Sequence, residues 1–246
     1  MSRPAPPKPP ADASAMRAEF DRLADDYYAQ HKDNIAISGE APEFFAEYKI
    51  ADLHRQASRI GLQARHVLDF GSGIGNSVPH FRRHFPESAL ACVDVSLRSM
   101  EIARTRSPGT ECYVHIEDGR LPLADASQDI VFTACVFHHI PHREHAHWLA
   151  ELRRVTRAGG LLALFEHNPL NPLTVHAVNT CPLDANARLI RAGRMRRRII
   201  AAGWTDARIG YRLFFPGSLA RLRPLERALA WLPLGAQYCV YARRPG

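Results

Sequence analysis

Lysine is almost absent from this chain of 246 residues: Lys8, Lys32 and Lys49 are the only three among 32 basic residues, and arginine supplies the rest. No apolar run approaches the roughly 18 residues that a membrane-crossing helix needs. The N-terminus has no apolar signal core either, which leads to the expectation of a soluble, cytoplasmic protein. The five cysteines (Cys92, Cys112, Cys135, Cys181 and Cys239) never form a C-x-x-C pair. Odd in number and scattered, they argue for reduced thiols and against both a disulfide framework and a zinc site. G-K-[ST] is missing, which excludes a P-loop. Asn76 stands where the dinucleotide fingerprint G-x-G-x-x-G needs its last glycine.

What is present suffices for a substantial core. Hydrophobic residues make up 46% of the chain, so disorder is not the expectation. The length fits one α/β domain with an extra segment. Net charge is +7 and unevenly spread, because between Arg188 and Arg227 eleven arginines stand against only Asp206 and Glu226. Such a stretch suits nucleic acid, an anionic substrate or an acidic membrane surface, and equally a plain solvated face.

Residues 1–13, "MSRPAPPKPPADA", hold five prolines and almost nothing to bury, the composition of a disordered tail. Ser14 occupies an N-cap position, and Phe20, Leu23, Ala24 and Tyr27 follow at helical spacing. A second helix is expected from Pro42 to Ile60, so that 14–60 forms a helical cap ahead of a domain over 61–246. Within that domain the runs "HVLDF", "ALACVDV", "CYVHI", "DIVFTACVF" and "LLALFEH" alternate with helical patterns at 76–85, 96–105 and 143–157. This alternation specifies a parallel sheet covered on both faces, an α/β fold. "ARIGYRLFF" and "AQYCVYARR" add two strands. Between them, "LARLRPLERALAWL" reads as a helix interrupted by Pro224, part of an insertion over 216–233. Residues 167–187 are too polar and proline-rich for a core element. They follow the fifth strand, on the edge where α/β sheets place ligands, and read as an insertion serving as a lid.

The stretch "VLDFGSGIGNS", 67–77, turns a strand at once into a helix. Glycine supplies the dihedrals, and the bend presents backbone N–H groups to an anion. With the two better-known loops excluded, D-x-G-x-G-x-G remains. Here the sequence resembles the class I S-adenosylmethionine-dependent methyltransferases of small-molecule and glycan type, over roughly residues 60–165. The resemblance implies a Rossmann-like, doubly wound sheet of seven mostly parallel strands with an antiparallel last strand, and S-adenosyl-L-methionine as cofactor. It puts Asp69, Gly71, Ser72, Gly73 and Gly75 around the methionine and ribose of that cofactor. Asp94, nineteen residues beyond Gly75, would accept the ribose hydroxyl protons, with Val95 beside it. "EDGRLPLADASQDIVF" looks like the family's acid-x-x-x-L-P-x-x-D-x-x-x-D pattern. Of Glu117 and Asp118, one would meet the adenine amino group, with backbone at Asp118 and Gly119 lining the ring. Backbone at Ala134 and Cys135 would face the methionine moiety. "LRRVTRAGGLLAL" resembles the family's helix, turn and fifth strand, with Ala158 where proline is common.

Thirteen histidines include the run "HHIPHREHAH", 138–147. Pro141 interrupts any helix that would align His138 with His142, and no partner ligands accompany them, so no metal is expected. His138 and His139 end the fourth strand and His167 the fifth, beside the methyl donor of the resemblance. One of the three is a candidate general base, in no order, against the alternative that each simply packs. "FDRLADDYYAQH" resembles a segment that folds over the cofactor in related enzymes, which makes Tyr27, Tyr28 and His31 candidates for closing the site. Asn168, after His167, joins them as a substrate candidate.

The reading is a methyltransferase acting on a small molecule, sugar or lipid-linked intermediate, at oxygen. No stable nucleic-acid partner is expected, and peripheral membrane contact and oligomeric state stay open. The alternatives are an RNA or protein methyltransferase using the basic 188–227 face, and a non-catalytic cofactor-binding partner subunit. The N/D-P-P-[YFW] motif of base-amine methylation is missing, and "HNPL" only echoes it.

Overall fold

Runs with apolar residues at successive positions have no face to give to water, and in the protein they are covered from both sides. A computed structural model describes residue 18, residues 20–117 and residues 119–246. The Pro-rich stretch 1–13, the N-cap expected at Ser14, and Asp118 lie outside the described residues. The strands are β1 (His66–Phe70), β2 (Ala89–Asp94), β3 (Cys112–His115), β4 (Gln128–Ala134), β5 (Thr156–His167), β6 (Thr205–Arg212) and β7 (Gln237–Arg243). They build one sheet in the order β3-β2-β1-β4-β5-β7-β6. β1 to β5 pair in parallel, and β7 lies antiparallel to both β5 and β6. The expected seven strands and the antiparallel last one are therefore present.

The helices are α1 (Tyr27–Ile35), α2 (Pro42–Arg59), α3 (Val78–His84), α4 (Leu97–Arg106), α5 (His145–Val155), α6 (Pro172–Thr180), α7 (Ala192–Ala201) and the single turn α8 (Glu226–Leu229). On one face of the sheet, Ile50, Leu53 and Ala57 of α2 and Val78 and Phe81 of α3 pack on Val67, Cys92, Ile130, Phe132 and Phe165. On the other, Trp148, Leu149 and Leu152 of α5 and Met195 and Ile199 of α7 pack on Leu68, Val93, Val131, Leu162 and Leu164. Val67 and Leu68 thus point to opposite cores, as the strand period of two requires.

Several elements depart from expectation. The helix from residue 20 breaks into a turn at 24–26 before α1 begins. The residues around that turn are tied elsewhere: Asp21 accepts from Ser96 Oγ and from the Arg98 N–H, and Asp25 pairs with Arg98 at 2.5 Å. Residues 167–187, read as too polar for a core element, contain the helix α6. Asn171 caps α6 by accepting from the Thr174 N–H, and Pro172 takes the first helical position. Val178, Cys181 and Leu183 are then buried. "LARLRPLERALAWL" is mostly 3-10 helix over Gly217–Leu225, with α8 after it. β5 starts at Thr156, directly after α5, earlier than the expected turn.

The basic stretch is not one open face. It contains the unanticipated helix α7, and several of its arginines turn inward. Arg198 donates to His145 Nδ1 at 2.8 Å, Arg212 reaches Asp52 at 2.9 Å, and Arg223 pairs with Glu40. No helix among the described residues is long and apolar enough to cross a membrane.

Candidate functional site

Strand order reverses at β1, where β2 lies on one side and β4 on the other, and in open α/β sheets that switch point opens a crevice beyond the strands' carboxyl ends. A cavity of about 400 Å³ lies there. The ends of β1, β2, β4 and β5 form its floor through Asp69, Asp94, Ala134 and His167. α1, α2 and α6 wall it with Tyr27, His31, Phe45, Lys49, Thr174 and Val178.

The glycine loop is built on backbone conformations that side chains avoid: Gly71, Gly73 and Gly75 have φ of +75°, +51° and +76°. The Gly71 and Ser72 N–H groups both donate to the Val93 carbonyl, at 2.8 and 3.1 Å. A Cβ at Gly71 would overlap the Val136 side chain, and one at Gly75 would meet Ala103 at 3.0 Å. At Gly73 a Cβ would meet no protein atom within 4 Å. Asp94 fastens this loop from β2, accepting from the Gly73 N–H and the Ser96 N–H at 2.8 Å each.

Asp69 is the unsatisfied group of the floor. Its Oδ2 is buried and has no hydrogen-bond partner among the described residues, and the same holds for Ser72 Oγ, His31 Nδ1 and Gln237 Oε1. Burial, and then the charge of Asp94, raise the Asp69 carboxyl to about 7 against the pull of Lys49. Orphaned buried polar atoms beside a glycine-lined space fit a ligand carrying an ammonium group and hydroxyls. S-adenosylmethionine is such a ligand.

After β4, Cys135 adopts φ +58°, a strained turn for a side-chain-bearing residue. Glu166 stabilises it. One carboxylate oxygen accepts the N–H groups of Val136 and Phe137, at 3.0 and 2.7 Å. The other accepts the His138 Nδ1–H at 2.6 Å, and His138 Nε2–H donates to Asp184 Oδ1 at 3.2 Å. Burial alone would lower the His138 pKa, but Glu166 and Asp184 overcome it and raise it to about 10. His138 is thus an imidazolium between two carboxylates. It has no free nitrogen for the base role considered from the sequence, and in this arrangement it organises the floor. His139 and His167 differ. Burial, then the charge of His138, lower them to about 3 and about 4, so both are neutral. His138, His139 and Asp184 lie close enough to share an ion, with ligand atoms within 4.8 Å. Asp184 is 3.2 Å from His138 and 3.4 Å from His139.

Of the residues singled out from the sequence, Asp69, Gly71, Ser72, Gly73, Asp94, Val95, Ala134, Cys135, Tyr27, His31, His138, His139 and His167 line the cavity. Gly75 sits behind the loop against Ala103. Glu117 is exposed and 3.3 Å from His115, and the Gly119 carbonyl accepts from His147. Neither lines the cavity. Tyr28 is turned out, donating to Glu43 at 2.8 Å. Asn168 is buried, but its amide donates to the Pro233 and Gly235 carbonyls and its oxygen takes the Leu170 N–H. It clamps two loops together and leaves nothing for a substrate. Sequence reasoning missed Lys49, Asp184, Glu166 and Gln237. The signals were an acid inside the apolar run "LLALFEH" and a lysine on the apolar stripe of α2.

A family model described as a methyltransferase domain matches residues 68–164, which span β1 to β5. An uncharacterized methyltransferase of Mycobacteroides abscessus is 32% identical over 150 residues, 58% of this chain and 55% of that protein. A demethylmenaquinone methyltransferase of Deinococcus radiodurans is 29% identical over 116 residues, 46% of this chain and 47% of that protein. The chain thus aligns with about half the length of these relatives. In fold it is similar to a solved methyltransferase of Thermotoga maritima, described as a possible histamine N-methyltransferase. That likeness has a TM-score of 0.62 at 19% identity and covers 93% of this chain and 99% of the other.

Proposed function

We propose, from the premise that residues 68–164 are a class I S-adenosylmethionine-dependent methyltransferase domain, that the protein methylates an oxygen of a small, largely apolar acceptor. The observation that carries this reading is Asp69 Oδ2, buried and unpartnered at the end of β1 beneath the glycine loop. Asp69 would hold the donor's ammonium, Asp94 its ribose hydroxyls, and the backbone of Gly71 and Gly73 would allow close approach. When bound, S-adenosylmethionine supplies a methyl group on a positively charged sulfur, activated for in-line displacement.

The chain's own residues then have three tasks. Phe20, Tyr27, Phe44, Phe45 and Phe214 wall the cavity and exclude water, which favours an acceptor with an apolar body. The clamped floor fixes the acceptor relative to the donor, so that alignment supplies much of the rate. Where the acceptor oxygen carries a proton, His139 and His167 offer neutral nitrogens beside it, but burial and the charge of His138 lower the basicity of both, so alignment carries more of the rate than proton removal.

Titration calorimetry with S-adenosylhomocysteine tests the reading without knowledge of the acceptor. Metal-free protein is expected to bind it, and Asp94→Ala to weaken binding by about 1–3 kcal/mol. Preference for a nicotinamide cofactor overturns the assignment. Affinity should also depend on pH with a definite sign. The Asp69 carboxyl is raised to about 7 in the free protein, so its negative form dominates only above that pH. Binding an ammonium group needs the negative form, so affinity should rise as pH increases through about 7. Asp69→Asn should bind more weakly with a flat profile between about pH 6 and 8. The same rise in the Asn variant would remove Asp69 from the donor site.

A further inference from the structure

Lys49 falls on the buried stripe of α2, with Ala46, Ile50 and Leu53. It is 9% exposed and lines the cavity. Among the described residues its ammonium forms no ion pair and donates no hydrogen bond, although most acids around it are in use. Asp52, one turn on, takes Arg55, Arg212 and the Tyr241 hydroxyl. Glu47 binds His80 and His84, Glu43 accepts from Tyr28, and Asp184 accepts from His138. Asp69 feels the charge of Lys49 but stays unpaired.

The Lys49 ammonium is not among the buried polar atoms left unpartnered, so it opens to the cavity, where an anion from outside the chain can pair with it. The groups on which Lys49 acts locate the missing partner. Its charge reaches Asp69 at the end of β1, Cys135 after β4, His167 at the end of β5, and His31 on α1. All four residues line the same cavity as Lys49.

We propose that Lys49 binds the ionised oxygen of the acceptor, which makes the substrates oxygen acids on an apolar body: carboxylic acids, acidic enols or phenols. The inference rests on the methyl-transfer reading above. In the step, an oxygen lone pair forms the new O–C bond while the C–S bond breaks, its electron pair passing to sulfur. Anion and sulfonium become a neutral ester or ether and a neutral thioether, and no further reactant is needed. A carboxylic acid is already ionised at neutral pH, and the charge of Lys49 favours the ionised form of a weaker enol or phenol, whose proton leaves to solvent. Methylation removes the charge that Lys49 held, so the product loses its anchor and leaves.

Decanoate and decanol, matched in chain length, are the probes, and calorimetry reads their binding to the full-length protein with and without S-adenosylhomocysteine. Decanoate is expected to bind at least about tenfold more tightly than decanol. Lys49→Met should erase that preference and Lys49→Arg should retain it. Should the Met variant unfold, Lys49→Gln serves in its place. Because Lys49 also lowers the Asp69 pKa, affinity for S-adenosylhomocysteine is compared at about pH 9, where it should stay within about threefold of wild type. Equal binding of the two probes to the wild type overturns the proposal, as does a preference that survives Lys49→Met. A further outcome also overturns it: loss of S-adenosylhomocysteine binding in Lys49→Met while 5′-methylthioadenosine, which lacks the amino-acid end, still binds. That result would put the ammonium on the donor's carboxylate. Wild-type protein that binds no S-adenosylhomocysteine refutes the methyl-transfer reading instead, and the decanoate comparison on donor-free protein still decides the role of Lys49.

Discussion

Gly73→Val should leave a folded protein that no longer binds S-adenosylhomocysteine, with affinity lower by about 100-fold or more, equivalent to about 2.8 kcal/mol. The two halves of this expectation have separate causes. A Cβ at Gly73 meets no protein atom within 4 Å, so packing does not oppose the substitution. The backbone does, because φ is +51° and a β-branched residue there costs about 1–2 kcal/mol. That strain lowers the melting temperature without preventing folding. The new side chain fills the cavity where the donor must approach the loop. Gly71→Val provides the contrast, since its side chain overlaps Val136 and should damage the fold itself. Calorimetry beside thermal unfolding separates the outcomes. A folded Gly73→Val protein with wild-type affinity would show that this loop does not hold the donor.

Glu166→Ala should be the most destabilising single change in the floor, at about 3–5 kcal/mol in urea unfolding. Glu166 is 2% exposed and accepts from three donors, the N–H groups of Val136 and Phe137 and the His138 imidazolium. Truncation leaves all three without their acceptor, one of them charged. The dependence on pH follows from both partners. His138 is raised to about 10, so its contribution is complete below its unfolded value and is lost as pH rises through 10. Burial pushes the Glu166 carboxyl up, but His138 outweighs it and holds the pKa below the ordinary value. Its contribution is therefore present above its unfolded pKa and fades as pH falls through the folded one. The cost of losing Glu166 should be greatest between about pH 5 and 6.5 and shrink progressively as pH rises from there to about 10. Glu166→Gln keeps an acceptor for the backbone N–H groups and can donate to a neutral imidazole. It should therefore cost less than the alanine and improve fastest above about pH 10. A penalty independent of pH would mean that His138 is not the ion it pairs with.

The glycine-loop edge of the cavity was legible in the sequence because its geometry is local. Gly71 and Gly73 mark positive-φ backbone within three residues, and Asp69 and Asp94 lie near the ends of adjacent strands. The opposite side of the cavity was not, because it is assembled from segments far apart in the chain. Lys49 on α2, Asp184 after α6 and Gln237 on β7 meet only once the sheet is complete. Polarity also misled. Residues 167–187 looked too proline-rich to be buried, yet Asn171 and Pro172 start a helix whose end carries Cys181 and Leu183 inward. Charge concealed α7 in the same way, since its arginines drew attention from Met195 and Ile199, which are fully buried. Within "HHIPHREHAH" the adjacent residues His138 and His139 carry opposite protonation states. Only the placement of Glu166 distinguishes them.

The position of β7 bears on how the protein is made. β6 is finished by residue 212, yet its only strand neighbour is β7, residues 237–243. Until β7 is made, β5 therefore has an unpaired edge and β6 has no strand to pair with. Adding β7 brings Gln237 opposite both His167 and Arg212, so the cavity wall and the last ladder form in the same event. A chain cut short before residue 237 would leave the edge of β5 open and β6 unpaired, a species for chaperones and proteases, with the cavity missing the wall that Gln237 supplies.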